Sequence, residues 1–228
     1  MDIEVSGRDS LTDTASLLSD SSRVTMLLAL LDGRAYTASE LARSANISAQ
    51  AASFHLKRLI CAKLLSGVSR GRFRYFRLAG PHVAELLEGL LAVDQLVNRT
   101  NPRSTCPPSL HDARACYNHL AGRAGVQLYR GLMRKGWLVF EGPKLIPTDA
   151  AGDLLDELAM PKRLSPLTGK PCLDWSEREF HIAGQLGVTL LNAMLESRWF
   201  LRGNGRSLTL TEKGRRRFAT YGFYPWTR

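Results

Sequence analysis

Residues Ala38–Leu78 read ASELARSANISAQAASFHLKRLICAKLLSGVSRGRFRYFRL, and this stretch decides the fold. Ser39 to Arg43 carries a helix-start residue, an acid in the first turn and apolar Leu41 and Ala42, and a short break follows at Ser44 to Asn46. Ile47-Ser48 then opens a second helix with Ala52, Leu56 and Leu59 at helical spacing, so that Gln50, Phe54, Lys57 and Arg58 look the other way. Two short helices, a tight turn and a cationic outer face predict a helix-turn-helix.

The next residues predict a wing. Leu64 to Ser69 alternates loosely, Arg70-Gly71 can turn, and Arg72-Phe73-Arg74-Tyr75-Phe76-Arg77-Leu78 largely alternates cation and aromatic. A hairpin with Arg70, Arg72, Arg74 and Arg77 on one face lies within reach of duplex phosphates beside the recognition helix.

These motifs carry a family resemblance. Leu18-Ser19-Asp20-Ser21-Ser22-Arg23-Val24, Ser39-Glu40-Leu41-Ala42, Ile47-Ser48-Ala49-Gln50 with Ser53-Phe54-His55-Leu56-Lys57, and Tyr75-Phe76-Arg77-Leu78 together resemble the ArsR/SmtB repressors over roughly Ser16 to Asn98. The resemblance implies a dimeric winged-helix protein that occupies an operator and lets go when a metal or other signal arrives. It also implies that an imidazole at His55 lies close to DNA. The family's metal sites are missing. Tyr36-Thr37-Ala38-Ser39 stands where some members carry Cys-x-Cys, and along the helix after the wing only His82 matches a ligand, with Gly80, Val93 and Leu96 at the other places.

Composition agrees with a nucleic-acid partner. A net charge of +10 and pI near 9.8 point to a polyanion, and the helix-turn-helix selects double-stranded DNA. No apolar run reaches the length of a membrane span and Met1 to Ser10 is polar, which predicts a cytoplasmic protein with no membrane partner. Cys61, Cys106, Cys116 and Cys172 are too few and scattered for a disulfide framework and read as reduced thiols.

The expected organisation is a mobile leader 1–14, a winged-helix DNA-binding and dimerisation domain 15–100, a linker 101–110 and a sensor domain 111–228. An apolar periodicity runs from Ala15 through Leu31 to Asp32-Gly33. His82 to Asn98 carries Val83, Leu86, Leu87, Leu90, Leu91, Val93 and Val97 in a stripe that needs a partner, read as a second copy of the chain. The linker by composition is Asn101 to Ser109, with Cys106 incidental.

An internal repeat fills the remainder. His119-Leu120-Ala121-Gly122-x-x-Gly125-Val126-x-Leu128 recurs 62 residues later as His181-Ile182-Ala183-Gly184-x-x-Gly187-Val188-x-Leu190, and without a gap Trp137 falls on Trp199 and Gly152 on Gly214. Eight identities in 34 positions exceed the roughly two that composition gives, so the half is duplicated. Each copy reads as a long helix, a Trp-bearing turn, a hairpin and a closing helix. The predicted fold class is therefore mainly α (α+β), a winged helix-turn-helix followed by two winged-helix-like repeats.

His119 and His181 fall near the starts of their helices, Cys116 one helical turn before His119, and Cys172 in the segment leading to His181, with Ser176 and Glu179 as a capping box. Two thiolates and two imidazoles are a tetrahedral zinc ligand set, although the gapless repeat places Arg178, not a cysteine, opposite Cys116. A redox or persulfide switch between the thiols and plain core packing are the competing readings. Asp112, Asp174 and Glu177 are caps or further ligands.

The sequence thus predicts a DNA-binding transcriptional regulator, a repressor, controlled by a small effector, metal or oxidant sensed in the second domain. Ser48, Gln50, Ala51, Phe54 and His55 are placed at or near bases, and Lys57, Arg58, Arg70, Arg72 and Arg74 on phosphates. The alternative is an architectural DNA binder without an effector. A Cys/His enzyme ranks third, since no nucleophile elbow, phosphate loop or HExxH arrangement is found, and no enzymatic activity is expected.

Overall fold

A computed structural model describes residues 12–97, 106–160 and 167–225. The expected leader falls largely outside them, as do residues 101–105 of the expected linker and Trp226 of the aromatic tail Tyr221-Gly222-Phe223-Tyr224-Pro225-Trp226. Two compact units, Met1–Leu87 and Glu88–Arg228, make up the chain.

In the first unit, residues 12–17 are already helical, the first three of them inside the expected leader. Asp20 caps α1 (Ser21–Ala29) by accepting from the Arg23 amide at 2.9 Å. Arg23 is buried and donates to the carbonyls of Leu17 and Ser16, so a cation in an apolar stripe is satisfied by backbone oxygens. After β1 (Tyr36–Thr37) comes α2 (Ala38–Ser44), whose N-cap is Thr37 rather than the expected Ser39. The Thr37 hydroxyl accepts from the Glu40 amide while the Glu40 carboxylate accepts from the Thr37 amide, a reciprocal box that outcompetes a serine inside the first turn.

Asn46, in the left-handed region at φ 53°, turns the chain into α3 (Ala49–Cys61), which Ser48 caps. Ala52, Leu56 and Leu59 are buried as their spacing predicts, against Met26, Leu27, Leu30, Leu31 and Leu41. The hairpin β2 (Leu65–Arg70) and β3 (Phe73–Leu78) follows, giving a sheet of order β1-β3-β2. Helix α4 (Pro81–Val97) buries Val83, Ala84 and Leu87 and exposes Leu86, Leu90, Val93 and Val97. No helix among the described residues is long and apolar enough to cross a membrane.

The second unit confirms a duplication but begins each copy with strands. Hairpin β4 (Arg114–Cys116) and β5 (His119–Ala121) leads into α5 (Gly122–Arg134), then hairpin β6 (Leu138–Glu141) and β7 (Lys144–Pro147) and α6 (Gly152–Glu157). The second copy repeats this order: β8 (Gly169–Leu173), β9 (Phe180–Ala183), α7 (Gly184–Glu196), β10 (Phe200–Arg202), β11 (Leu208–Leu210) and α8 (Glu212–Thr220). The leading hairpin of each copy joins the trailing hairpin of the other. Strand β8 pairs with β7 at Leu145–Gly169, and β4 bridges to Ser207 through Arg114. The copies are therefore interlocked, and neither half closes its own sheet.

One core serves both copies, with Leu128, Leu132, Leu154, Leu186, Leu190, Met194, Trp199 and Phe218 among its members. Cys106, expected to be incidental in a linker, is buried, and a helical turn at Pro108–His111 occupies the expected linker's end. The tail packs back as well. Phe223 is buried, and Phe218 lies edge-on to Trp199, Phe200 and Phe223 with ring centroids 5.4–6.1 Å apart. Removing this ring leaves a cavity in the common core, lined by Trp199, Phe200 and Phe223. Phe218→Ala should cost about 3–5 kcal/mol, read as a lower denaturant midpoint in equilibrium unfolding; a loss below about 1 kcal/mol would contradict the shared core.

Candidate functional site

The outward face of α3 places Ser48, Gln50, Phe54, Lys57 and Arg58 in solvent and leaves Ala51 half-buried. Phe54 is 61% exposed, an unusual state for a large aromatic, and the Arg58 guanidinium lies 5.9 Å from its ring centroid. The Ser48 hydroxyl is engaged as the helix cap, accepting from the Ala51 amide at 3.1 Å. His55 is half-buried at the edge of the core between α3 and α1, with Nδ1 3.4 Å from the buried Arg23 guanidinium.

The wing's arginines do not share one face. Strand β3 buries Phe76 and Leu78, which puts Arg74 on their side and Arg77 on the other, because successive side chains alternate. Cross-strand partners share a face, so Arg70, opposite Phe73, goes with Arg77, opposite Ser66. The aromatic pair Tyr75-Phe76 breaks the cation–aromatic alternation, and the sequence period misses that slip. Arg70, Arg72, Arg74 and Arg77 are all exposed nonetheless. Between α2, α3 and the wing lies a cleft lined by Ser39, Ser53, Lys57, Arg72 and Arg74. A groove of this kind presents cations and hydroxyls to phosphates around an exposed helix face.

The second unit holds a different site. Cys116, His119, Cys172 and His181 each offer one donor atom, and the four atoms lie within 4.8 Å of one another. The histidines sit in strands, not at helix starts, and in both hairpins cysteine and histidine are direct cross-strand partners: Cys116 opposite His119 and Cys172 opposite His181. Cys172 is thus the structural counterpart of Cys116. Arg178 appeared to be the counterpart because the first hairpin turns through Tyr117 and Asn118 alone, whereas the second carries the longer loop 174–179, which a gapless comparison cannot register.

The repeated residues build this meeting point. Gly122 and Gly184 adopt φ 74° and 76°, the left-handed turn that swings each strand into its helix. A Cβ on Gly125 would collide with the Leu120 carbonyl and stand 3.4 Å from the His181 Cβ; one on Gly187 would collide with the Ile182 carbonyl and stand 3.1 Å from the His119 Cβ. Each copy's glycine therefore seats the other copy's histidine. The rings stack with centroids 5.0 Å apart and their Nε2 atoms 3.1 Å apart.

Burial lowers His119 and pushes His181 down to about 4, so both imidazoles are neutral at physiological pH with a lone pair to offer. The neighbouring thiol pushes Cys116 up, with burial adding to the effect, while Cys116 and then His119 draw Cys172 down to about 6 against its own burial.

Around the four donors stand charged groups of which the sequence reading had named Asp174 but not Arg114, Arg206 or Glu88. Arg114 is fully buried, donating to Asp174 Oδ1 at 2.5 Å. Asp174 also accepts from the Ser176 and Glu177 amides through Oδ1, and from the Gly122 amide at 2.8 Å through Oδ2. It therefore organises the loop where a Ser176–Glu179 capping box was expected, and no helix starts there. Burial works to raise the Asp174 carboxyl, but Arg114 and His181 outweigh it and hold the group well below the usual carboxylate range. Arg206 donates to the Ala115 carbonyl and pairs with buried Glu88. Asp112 and Glu177 instead pair with Arg123, at 3.7 and 3.8 Å. The available signal was a cation or acid flanked by small or apolar residues, as in Ala113-Arg114-Ala115 and Leu86-Leu87-Glu88.

Comparison with known proteins places these features. A family model described as bacterial regulatory protein, arsR family, matches residues 20–66. An uncharacterized HTH-type transcriptional regulator of Bacillus subtilis, YdfF, is 41% identical over 207 residues, 88% of this chain and 92% of that one. Among solved structures, the homodimeric winged helix-turn-helix domain Mb0332 of Mycobacterium bovis is 21% identical, covering 45% of this chain and 94% of that one at a TM-score of 0.40. HlyU of Vibrio cholerae is 20% identical, covering 40% and 97% at 0.36.

The glycine contacts yield a paired test. Gly187→Ala should destabilise the second unit by about 1–3 kcal/mol or more by forcing backbone and histidine apart, whereas Gly152→Ala, where a Cβ meets nothing within 4 Å, should be neutral or gain up to about 1 kcal/mol. Equal melting temperatures for the two variants would refute the close approach.

Proposed function

Because the chain belongs to the ArsR family of bacterial DNA-binding transcriptional regulators, we propose that it is a homodimeric, cytoplasmic repressor whose operator occupancy is set by an effector sensed in the second unit. The carrying observation is the cluster of Cys116, His119, Cys172 and His181, a soft and borderline donor set gathered by two copies of one motif. A metal ion, zinc among them, is the effector class such donors favour.

The exposed face of α3 supports operator reading. Gln50 supplies a bidentate amide for a base edge, Phe54 an apolar contact for a thymine methyl, and Lys57, Arg58 and the wing arginines supply phosphate contacts. A net charge of +10 supports the polyanionic partner. Helix α4 supports dimerisation, because Leu86, Leu90, Val93 and Val97 form an exposed stripe at i, i+4, i+7 and i+11 that a second copy would cover. The binding of metal lowers operator affinity in this reading, as release on signal requires.

Operator titration tests both halves of the proposal. Gln50→Ala should reduce discrimination between operator and unrelated duplex by about 1–3 kcal/mol, while Arg72→Ala should weaken both alike and flatten the salt slope by about one. Equal losses on all sequences for both variants contradict the assignment. In the same assay, zinc should lower the operator affinity of the wild-type chain at least tenfold, a coupling of about 1.4 kcal/mol, and the effect should vanish in Cys172→Ser. An affinity that zinc leaves unmoved or raises overturns the effector reading.

A further inference from the structure

The tetrahedral fit of the cluster can be judged by distance. Zinc–nitrogen bonds of about 2.0–2.1 Å hold two nitrogens about 3.3 Å apart, and zinc–sulfur bonds of about 2.3 Å hold two sulfurs about 3.8 Å apart. The two Nε2 atoms stand at 3.1 Å and all four donors lie within 4.8 Å. Little movement would close them on one ion.

Charge narrows the class of ion. Arg114 is matched by Asp174 and Arg206 by Glu88, so the surroundings bring no uncompensated charge. Two thiolates and two neutral imidazoles then require a divalent cation for neutrality. A monovalent ion would leave a buried negative charge, which is costly. Four protein donors, buried except for the half-buried Cys172, leave no open position for a catalytic water and suit an ion without a preference for six ligands.

One buried atom points to a second shell. His181 Nδ1 has no hydrogen-bond partner although it is buried, and it faces Asp174 Oδ2 at 3.8 Å, longer than a hydrogen bond. Between the two Nε2 atoms at 3.1 Å, a hydrogen bond needs a proton on one of them. Ligation by both needs none there, and moves the His181 proton to Nδ1, where Asp174 waits as acceptor.

We propose that Cys116, His119, Cys172 and His181 close on a single zinc-class divalent ion through two Sγ and two Nε2 atoms, and that Asp174 is the positioning residue, accepting the His181 Nδ1–H. The proposal rests on reading the cluster as the sensing site of the second unit. On binding, both cysteines ligate as thiolates, and the proton that Cys116 carries passes to water as its sulfur–hydrogen bond is replaced by a sulfur–metal bond. Asp174 also accepts from Gly122 of the first copy, so fixing His181 ties the ion to both copies at once.

The test uses the full-length, reduced chain without DNA. Titration with cobalt(II) as probe should saturate at one equivalent with the intense visible bands of a tetrahedral ion and a thiolate charge-transfer band, both abolished by Cys116→Ser or Cys172→Ser and displaced by zinc. Nitrogen-15 NMR of the zinc-loaded chain should show both histidines ligated through Nε2 and His181 protonated at Nδ1. Asp174→Asn should weaken zinc binding about 10–100-fold; should that variant fail to fold, the wild-type NMR readout still decides. Weak octahedral cobalt bands, binding indifferent to both cysteine variants, or His181 ligated through Nδ1 would overturn the proposal. Tight tetrahedral binding that leaves operator affinity unchanged would count against effector control alone, and operator control by some other effector in a chain that does not bind cobalt would count against this site alone.

Discussion

Two glycines, Gly125 and Gly187, set how closely the halves of the second unit approach. Each packs its helix onto a carbonyl of its own strand at a distance that no side chain allows, and lies against the opposite histidine, whose Cβ an added Cβ would meet at 3.1–3.4 Å. Everything distinctive about the unit follows from that closeness. The strands exchange partners between copies, one core serves both, and His119 and His181 meet Nε2 to Nε2 at 3.1 Å. Bringing two imidazoles and two thiols out of water is unfavourable unless something compensates. Here the compensation visible in the chain is partial, since His181 Nδ1 is left without a hydrogen bond.

The first unit works by the opposite rule. Its core is largely apolar, with Met26, Leu27, Leu30, Leu41 and Leu59 fully buried beside the charged Asp32 and Arg23, and the cations of α3 and the wing lie on the outside. The cations that would meet phosphates, Lys57, Arg58, Arg70, Arg72, Arg74 and Arg77, all remain exposed. Among the described residues of this unit the buried arginine is Arg23, which is held by backbone carbonyls and by His55. A surface that offers charge on rigid elements and a buried cluster that offers soft donors are suited to different partners, a polyanion and a metal. In the second unit, Glu88 pairs with Arg206, which also holds the Ala115 carbonyl beside Cys116.

Much of this was legible in the residues. The helical spacing of Ala52, Leu56 and Leu59 placed α3 correctly because burial enforces that period, and the repeated His-x-Ala-Gly-x-x-Gly motif exposed the duplication because each glycine is sterically required. Other features were illegible for stated physical reasons. Strand and helix share the short apolar run His119-Leu120-Ala121, and only tertiary pairing with Cys116 settles it as strand. A connection longer by six residues, eight between Cys172 and His181 against two between Cys116 and His119, hid the equivalence of the cysteines. The role of Asp174 depends on Arg114, 60 residues away, which no local pattern reveals.

The central claim is that the two copies exist in register so that four donors can share one ion. Zinc K-edge X-ray absorption of the purified full-length chain tests it most directly. The account predicts a first shell of two sulfurs at about 2.3 Å and two nitrogens at about 2.0–2.1 Å. A shell of oxygen and nitrogen only, or of a single sulfur, would contradict it.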